Sequence, residues 1–278
     1  MSAPRSQESG RGLSWRSVLP WLAALVPPLS VMLFFLAAWE FLVRSRHVPE
    51  YILPGPLRIA SALAESWPTL YPSLLFTLAV TGEALLAAVV LGGGLALLLA
   101  QSRWIERSFF PLAVVLQVTP IVAIAPLLLI WIHDVRLALV LCAGIVAFFP
   151  VVANTTLGLN SADHHLLDLL KLYGASRWQT FRRVRLPGAL PYFLGGLRIS
   201  GGLALIGAVV AEFVAGSGGT ETGLAYRILE AGYTLQIPRM FAALALLSAA
   251  GVAIWAALTG LSWLLLRRWH ESAVRREG

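Results

Sequence analysis

Charged residues are scarce in this sequence. Asp, Glu, Lys and Arg supply 13% of its 278 residues, against about 25% in an ordinary soluble domain. A chain so poor in charge cannot clothe a globular surface, so a single soluble core is excluded. Cysteine is almost missing. The one thiol, Cys142, sits inside an apolar run, so there is no disulfide framework and no reading of redox compartment. Acidic residues are outnumbered, 14 against 21 lysines and arginines, for a net charge of +7. In a soluble protein that excess would suggest nucleic acid. Here the basic residues flank apolar runs, the pattern of membrane topology. A phosphate-binding loop, GxxxxGK[ST], is also lacking: the glycine stretch GSGGTETGL at 216–224 has no lysine. Nucleotide hydrolysis is therefore not expected of this chain. No Ser/His/Asp set and no carboxylate pair at one depth stands out. His133 falls beyond the far end of a span, and His164 and His165 are neighbours whose side chains diverge, so no metal site is expected. The chain reads as a non-enzyme that binds no cofactor itself.

What is abundant is apolar sequence: 58% of residues are hydrophobic and the mean hydropathy is +0.77. A membrane-crossing helix needs about 20 mostly apolar residues. Six windows qualify, at 20–43, 74–100, 109–132, 135–154, 193–215 and 240–266. The expected fold is all-α and polytopic, with a cytoplasmic segment at 1–19, a transmembrane domain at 20–266 and a tail at 267–278. Only His133 and Asp134 separate the third and fourth windows, which predicts a tight hairpin. The first run is longer than a signal-peptide core, so it is expected to stay as an uncleaved anchor. With the N-terminus inside, 15 of the 21 basic residues are cytoplasmic, among them Arg103, Arg107, Arg182, Arg183 and Arg185. That bias predicts both termini in the cytoplasm. Trp104, Trp131 and Trp178 fall near span ends, an aromatic-belt position.

The cytoplasmic connection at 161–192 is not composed like a tether. Leu166, Leu169, Leu170 and Tyr173 recur at the spacing of one helix face. Ser161 and Asp163 are available as N-caps, and Gly174 stands where a left-handed cap would end the helix. A second short helix is expected near 176–184, and Pro187 and Pro191 are expected to break the chain before the fifth span. Periodicity alone suits two readings equally: an interfacial helix against anionic headgroups, or a docking helix for a cytoplasmic protein.

A sequence signature separates them. Asp168, then Gly174, then Val184, Leu186 and Pro187 follow the spacing of the EAA signature, and the loop resembles that of permease subunits of ABC importers. Leu169 and Leu170 depart from the two small residues of the signature. The resemblance extends over most of residues 50–265. YILPGPLRIASAL, QVTPIVAIAPLLLIW and AEFVAGSGGTETGLAYRILEAG are similar to the nitrate/sulfonate/taurine branch, nearest its thiamine-precursor (pyrimidine) and riboflavin types. The resemblance implies a bacterial inner-membrane permease, usually a homodimer, served by two ATPase subunits and a periplasmic binding protein. ATP and Mg would sit on that partner ATPase. It implies docking through a helix over Asp163–Ala175, with Asp168, Leu169, Leu170, Gly174, Ala175, Val184, Leu186 and Pro187 as the coupling set. The solute would be small and organic or anionic.

The path is expected along the third and fifth spans. Pro120 and Pro126 interrupt the third span, so Gln117, Thr119 and Pro120 are candidates to line it; the competing reading is a structural kink with Gln117 bonded to a neighbouring helix. Small residues of the fifth span, such as Gly196, Gly201 and Gly207, read as packing. Glu212, near the outer end of that span, reads as structural or gating, with substrate contact and simple hydration as alternatives. Glu83 is expected to pair with Arg198. A secondary transporter is the alternative function; the absence of an evident repeat argues against it.

Overall fold

The computed structural model describes residues 19–216 and 222–267. The terminal segments 1–19 and 267–278, but for Leu19 and Arg267, and most of the glycine stretch lie outside them. All regular structure among the described residues is helical: α1 (Leu19–Ser45), α2 (Pro56–Leu99), α3 (Arg103–Val118), α4 (Ile121–Trp131), α5 (Val135–Asn160), α6 (His164–Leu172), α7 (Arg177–Thr180), α8 (Leu186–Ala215), α9 (Leu224–Tyr233) and α10 (Ile237–Leu266). Local chemistry sets many of the starts. Ser102, Asp134, Asp163 and Ser176 each accept an amide of the first turn as N-caps. Pro56 opens α2, where a missing N–H costs nothing.

The packing inverts that of a soluble protein. Small side chains dominate the interior, with Ala84, Ala143, Ala147, Ala204 and Ala208 fully buried beside a few leucines such as Leu70 and Leu194, while Leu86, Leu91, Ile206 and Trp255 are each more than half exposed. Lipid tails are as apolar as leucine, so large side chains gain nothing by hiding, and close backbone approach selects small ones. The helices α5 and α8 show this best. They run antiparallel, with Gly158 against Tyr192, Gly196 against Pro150 and Asn154, and Gly207 against Ala143. Ser200 donates to the Ala147 carbonyl at 2.7 Å within this seam. The expected packing role of Gly196, Gly201 and Gly207 therefore holds, whereas Gly195 and Gly202 face open space.

Among the described residues five helices are long and apolar enough to cross a membrane, and α3 with α4, bent by 94°, make a sixth candidate if the pair is one span. The start of α3 lies at the end of α5, where the Asn160 amide reaches Glu106 at 3.4 Å. The end of α4 at Trp131 stands next to the start of α5 at Val135. The bent pair thus runs the full length of α5. Of the two interruptions expected in the third span over 109–132, the one at Pro120 is there, between Val118 and Ile121, because Pro120 has no amide to continue the ladder, whereas Pro126 lies inside α4 without a break.

Two further expectations are corrected. The second helix does not start at 74 but at Pro56, and its first turns pack Ala62 and Leu70 against Leu224, Ile228, Ala242 and Ala243. Charged residues such as Arg58 and Glu65 hid this segment from a hydropathy reading; Arg58 holds both Glu50 and Glu65 at 3.0 and 3.1 Å. Glu83 pairs with Arg136 at 2.5 Å, not with Arg198. Arg198 lies level with about residue 150 of α5, roughly 20 Å along the axis from Arg136 at a rise of 1.5 Å per residue.

Candidate functional site

Three features outside the packed seam carry polar or exposed chemistry: α6 with its flanks, the α3–α4 break, and Glu212.

The helix α6 leaves the bundle. It packs extensively on no other helix. Asp163 caps it, accepting the His165 amide at 2.8 Å. Its end is a Schellman turn: Gly174 has φ +71°, its amide donates to the Lys171 carbonyl at 3.0 Å, and the Ala175 amide reaches back to Leu170 at 2.9 Å. Three of the four residues on the apolar face predicted from periodicity are exposed, and Leu170 is half-buried. Leu166 and Leu169 are half exposed, Leu172 and Tyr173 more than four-fifths exposed. Asp168 accepts from the Lys171 ammonium at 2.9 Å, which holds its carboxyl below the usual carboxylate range.

From Arg177 onward the chain is helical without interruption to Ala215. The capping box of Ser176 and Gln179 starts α7. A π-turn over Phe181–Arg185 then joins α7 to α8, with the Leu186 amide donating to the Phe181 carbonyl. The expected break at Pro187 and Pro191 is not there. Proline clashes with the carbonyl four residues back, and the wider π-turn placed immediately before Pro187 accommodates the site. Pro187 therefore lies in the first turn of α8, and Pro191 lies one turn further in. Val184 and Pro187 are half-buried in this joint while Leu186 is exposed. Trp178 stacks on Phe181 with ring centroids 5.6 Å apart.

At the α3–α4 break, Thr119 Oγ1 donates to the Val115 carbonyl at 2.6 Å. The last carbonyls of α3 and the first amides of α4 have no helical partners. Gln117 and Pro120 are exposed, and Thr119 is half-buried. Gln117 makes no hydrogen bond among the described residues of this chain. Polar backbone at membrane depth is tolerated only against protein or a water-filled cavity.

Glu212 is buried, 3% exposed, which excludes a merely hydrated carboxylate. Oε1 accepts the Thr77 hydroxyl at 2.8 Å, and Oε2 accepts the Ala225 amide at 3.0 Å. Thr77 Oγ1 in turn accepts the Leu224 amide at 2.9 Å. These are the first amides of α9, whose N-cap, Gly223, has no side chain to serve them. A Cβ there would overlap the Glu212 carboxylate. The sequence reading missed Thr77, Gly223 and α9 itself. A hydroxyl inside an apolar run gives no sign of its partner; the glycine just before LAYRILEAG was the available sign.

Five long apolar helices and one bent pair around a seam of small residues, with an exposed amphipathic helix between α5 and α8, form the architecture of a polytopic membrane protein. Residues 88–276 match the family of binding-protein-dependent transport system inner membrane components, and the chain belongs to it. It is 36% identical to the riboflavin transport system permease protein RibX of Chloroflexus aurantiacus, covering 90% of this chain and 91% of RibX. It is 34% identical to the formylaminopyrimidine transport permease protein ThiX of Halalkalibacterium halodurans, over 87% and 95% of the two chains. In fold it resembles a crystal structure of an amino acid ABC transporter with histidines, with a TM-score of 0.59 and 18% identity, covering 74% of this chain and 96% of that one. The protein is the membrane-spanning subunit of an ABC importer.

Proposed function

We propose that α6 is the contact through which a cytoplasmic ATPase drives this permease, and that the α3–α4 break lines the path between two copies of the chain. The observation that supports the docking role is the largely exposed apolar face of α6, ended by the Gly174 turn and followed by one continuous helical run to Ala215. Asp168, Leu169, Leu170, Gly174 and Ala175 form the contacting element. Val184, Leu186 and Pro187 form the joint that transmits its displacement to α8. ATP and Mg bind to the ATPase, so a ligand biases the two states of the permease only through its different affinity for each. Both termini are cytoplasmic, on the bias of basic residues to that side. The second copy covers the break, where Gln117, Thr119 and Pro120 meet water or solute. A binding protein delivers the solute, a small organic or anionic molecule of the vitamin-precursor, pyrimidine or sulfonate class; the names of RibX and ThiX favour the heteroaromatic end of that range.

The test is co-purification with a partner ABC ATPase. Leu169→Glu is expected to abolish the complex while the permease stays in the membrane. An intact complex with full ATP-driven uptake would remove α6 from the interface. The secondary-transporter alternative predicts uptake into proteoliposomes holding this chain alone, without ATP.

A further inference from the structure

The helix α9 lies at the end of the bundle remote from α6, since α6 follows the C-terminus of α5 and α9 follows that of the antiparallel α8. Its flanks are tied to other helices. Arg227 Nε donates to Ser73 of α2 at 3.0 Å, and Glu230 accepts from Arg227 at 3.0 Å and from Arg239 of α10 at 3.5 Å. Its ties to α8 are of another kind. Among the described residues, the one hydrogen bond between α8 and α9 is that of the Ala225 amide to Glu212. Thr77 of α2 closes the node from the third side.

Gly223 makes the arrangement unusual. A helix start commonly carries Ser, Thr, Asp or Asn, whose own side chain caps the first amides. Here that position is glycine, and the acceptor comes from another helix. The cap of α9 is therefore also a mechanical link to α8. A carboxylate on α9's own N-cap would satisfy the same amides and leave α8 and α9 free to part.

We propose that Glu212 is a positioning residue for transport: it obliges α9 to follow the last turn of α8, so that motion delivered at α6 reaches the far end of the bundle. The continuous helical run from Arg177 to Ala215 supplies the lever, and Glu212 is its last fully buried residue. This proposal rests on the reading of α6 as the ATPase contact, and the distance measurement below does not depend on that reading.

The experiment compares Glu212→Ala with the double variant Glu212→Ala/Gly223→Ser. The alanine frees the space that a Cβ at 223 needs, and serine restores a local N-cap without the tie to α8. Both are assembled with the ATPase and the binding protein in proteoliposomes. The expected result is assembly and basal ATP hydrolysis within about two-fold of the parent, a fold-change small on a scale where ten-fold is 1.36 kcal/mol, with uptake down at least ten-fold in both variants. Recovery of uptake in the double variant, or undiminished uptake in Glu212→Ala, would overturn the proposal, because Glu212 would then be only a cap or dispensable. Spin labels at the exposed positions Ile206 on α8 and Tyr233 on α9 give a readout without transport. Their distance distribution is expected to broaden in the double variant; an unchanged narrow distribution overturns the proposal.

Discussion

The Glu40 carboxylate accepts the backbone amide of Leu57 at 3.1 Å, so a side chain of α1 caps the first turn of α2. Gly55 is the N-cap there, and a Cβ on it would lie 2.6 Å from Glu40 Oε2. The Glu212–Gly223 pair repeats the same device at α9. In both places a glutamate on one membrane helix replaces the missing capping side chain of the next. Arg44 bonds the other oxygen of Glu40 at 2.6 Å and keeps the carboxylate in place.

This relation gives the first prediction. In Gly55→Ala the new methyl displaces Glu40 from the Leu57 amide and loosens α1 from α2. The midpoint of thermal unfolding in detergent is expected to fall, and Glu40→Ala is expected to add little to that loss. Additive losses in the double variant would show that the two residues act separately.

Gly174 is the second site. Its φ of +71° belongs to the left-handed region, and a Cβ added there would meet no atom within 4 Å. Strain, and not crowding, is therefore what a substitution introduces. Gly174→Val is expected to cost about 1–2 kcal/mol locally and to uncouple ATP hydrolysis from uptake, with the permease still in the membrane. Uptake at the parental rate in reconstituted vesicles would contradict this.

Two glycines of α8 separate packing from propensity. Gly207→Val drives a Cβ to within 2.8 Å of Ala143 Cα and is expected to cost about 1–3 kcal/mol by overpacking. Gly202→Ala meets nothing and is expected to gain roughly 0.5–1 kcal/mol. Unfolding midpoints that move in the same direction for both would refute the seam described for α5 and α8.

Leu235 is the counterpart of Gly174 at the end of α9. Its amide bonds Gly232 and the Gln236 amide bonds Ala231, the same turn, yet φ is +54° on a leucine. Its side chain is 77% exposed, so little packing offsets the strain. Leu235→Gly is expected to stabilise by about 0.5–1 kcal/mol after the greater unfolded freedom of glycine is subtracted. A lower unfolding midpoint would count against the strain.

Gln117 gives the fifth. Because it has no hydrogen bond among the described residues, Gln117→Leu is expected to change stability by less than about 0.5 kcal/mol while lowering uptake. A helix-bonding glutamine would instead lose about 0.6 kcal/mol or more. Equal uptake by parent and variant would remove Gln117 from the path.

Much of this was legible before any fold was known. Six apolar windows located the five long apolar helices and the bent α3–α4 pair, and the spacing of Asp163, Leu166, Leu169, Tyr173 and Gly174 located α6 and both of its ends. These features are local: caps, periodicity and a left-handed turn depend on residues within one or two turns of each other. The early start of α2 was not legible, because its first turns carry charge and are buried only by α9 and α10. The break at Pro187 was misread for a related reason: a π-turn in the preceding residues absorbs the clash, and nothing in the proline itself announces that.

The sequence alone determined that this chain lies in a membrane, where its apolar helices run and which loop stands apart, since those follow from transfer free energies and short-range patterns. Tertiary structure decided the polar pairings. Glu83 meets Arg136 and not Arg198, Glu212 meets Thr77 and the start of α9, and Gln117 meets no group among the described residues. A charge or hydroxyl in an apolar run must find a partner, a water or a solute. Which one it finds depends on how the helices turn about their axes and slide past one another, and small residues such as Gly196 and Gly207 set that register by letting two backbones touch.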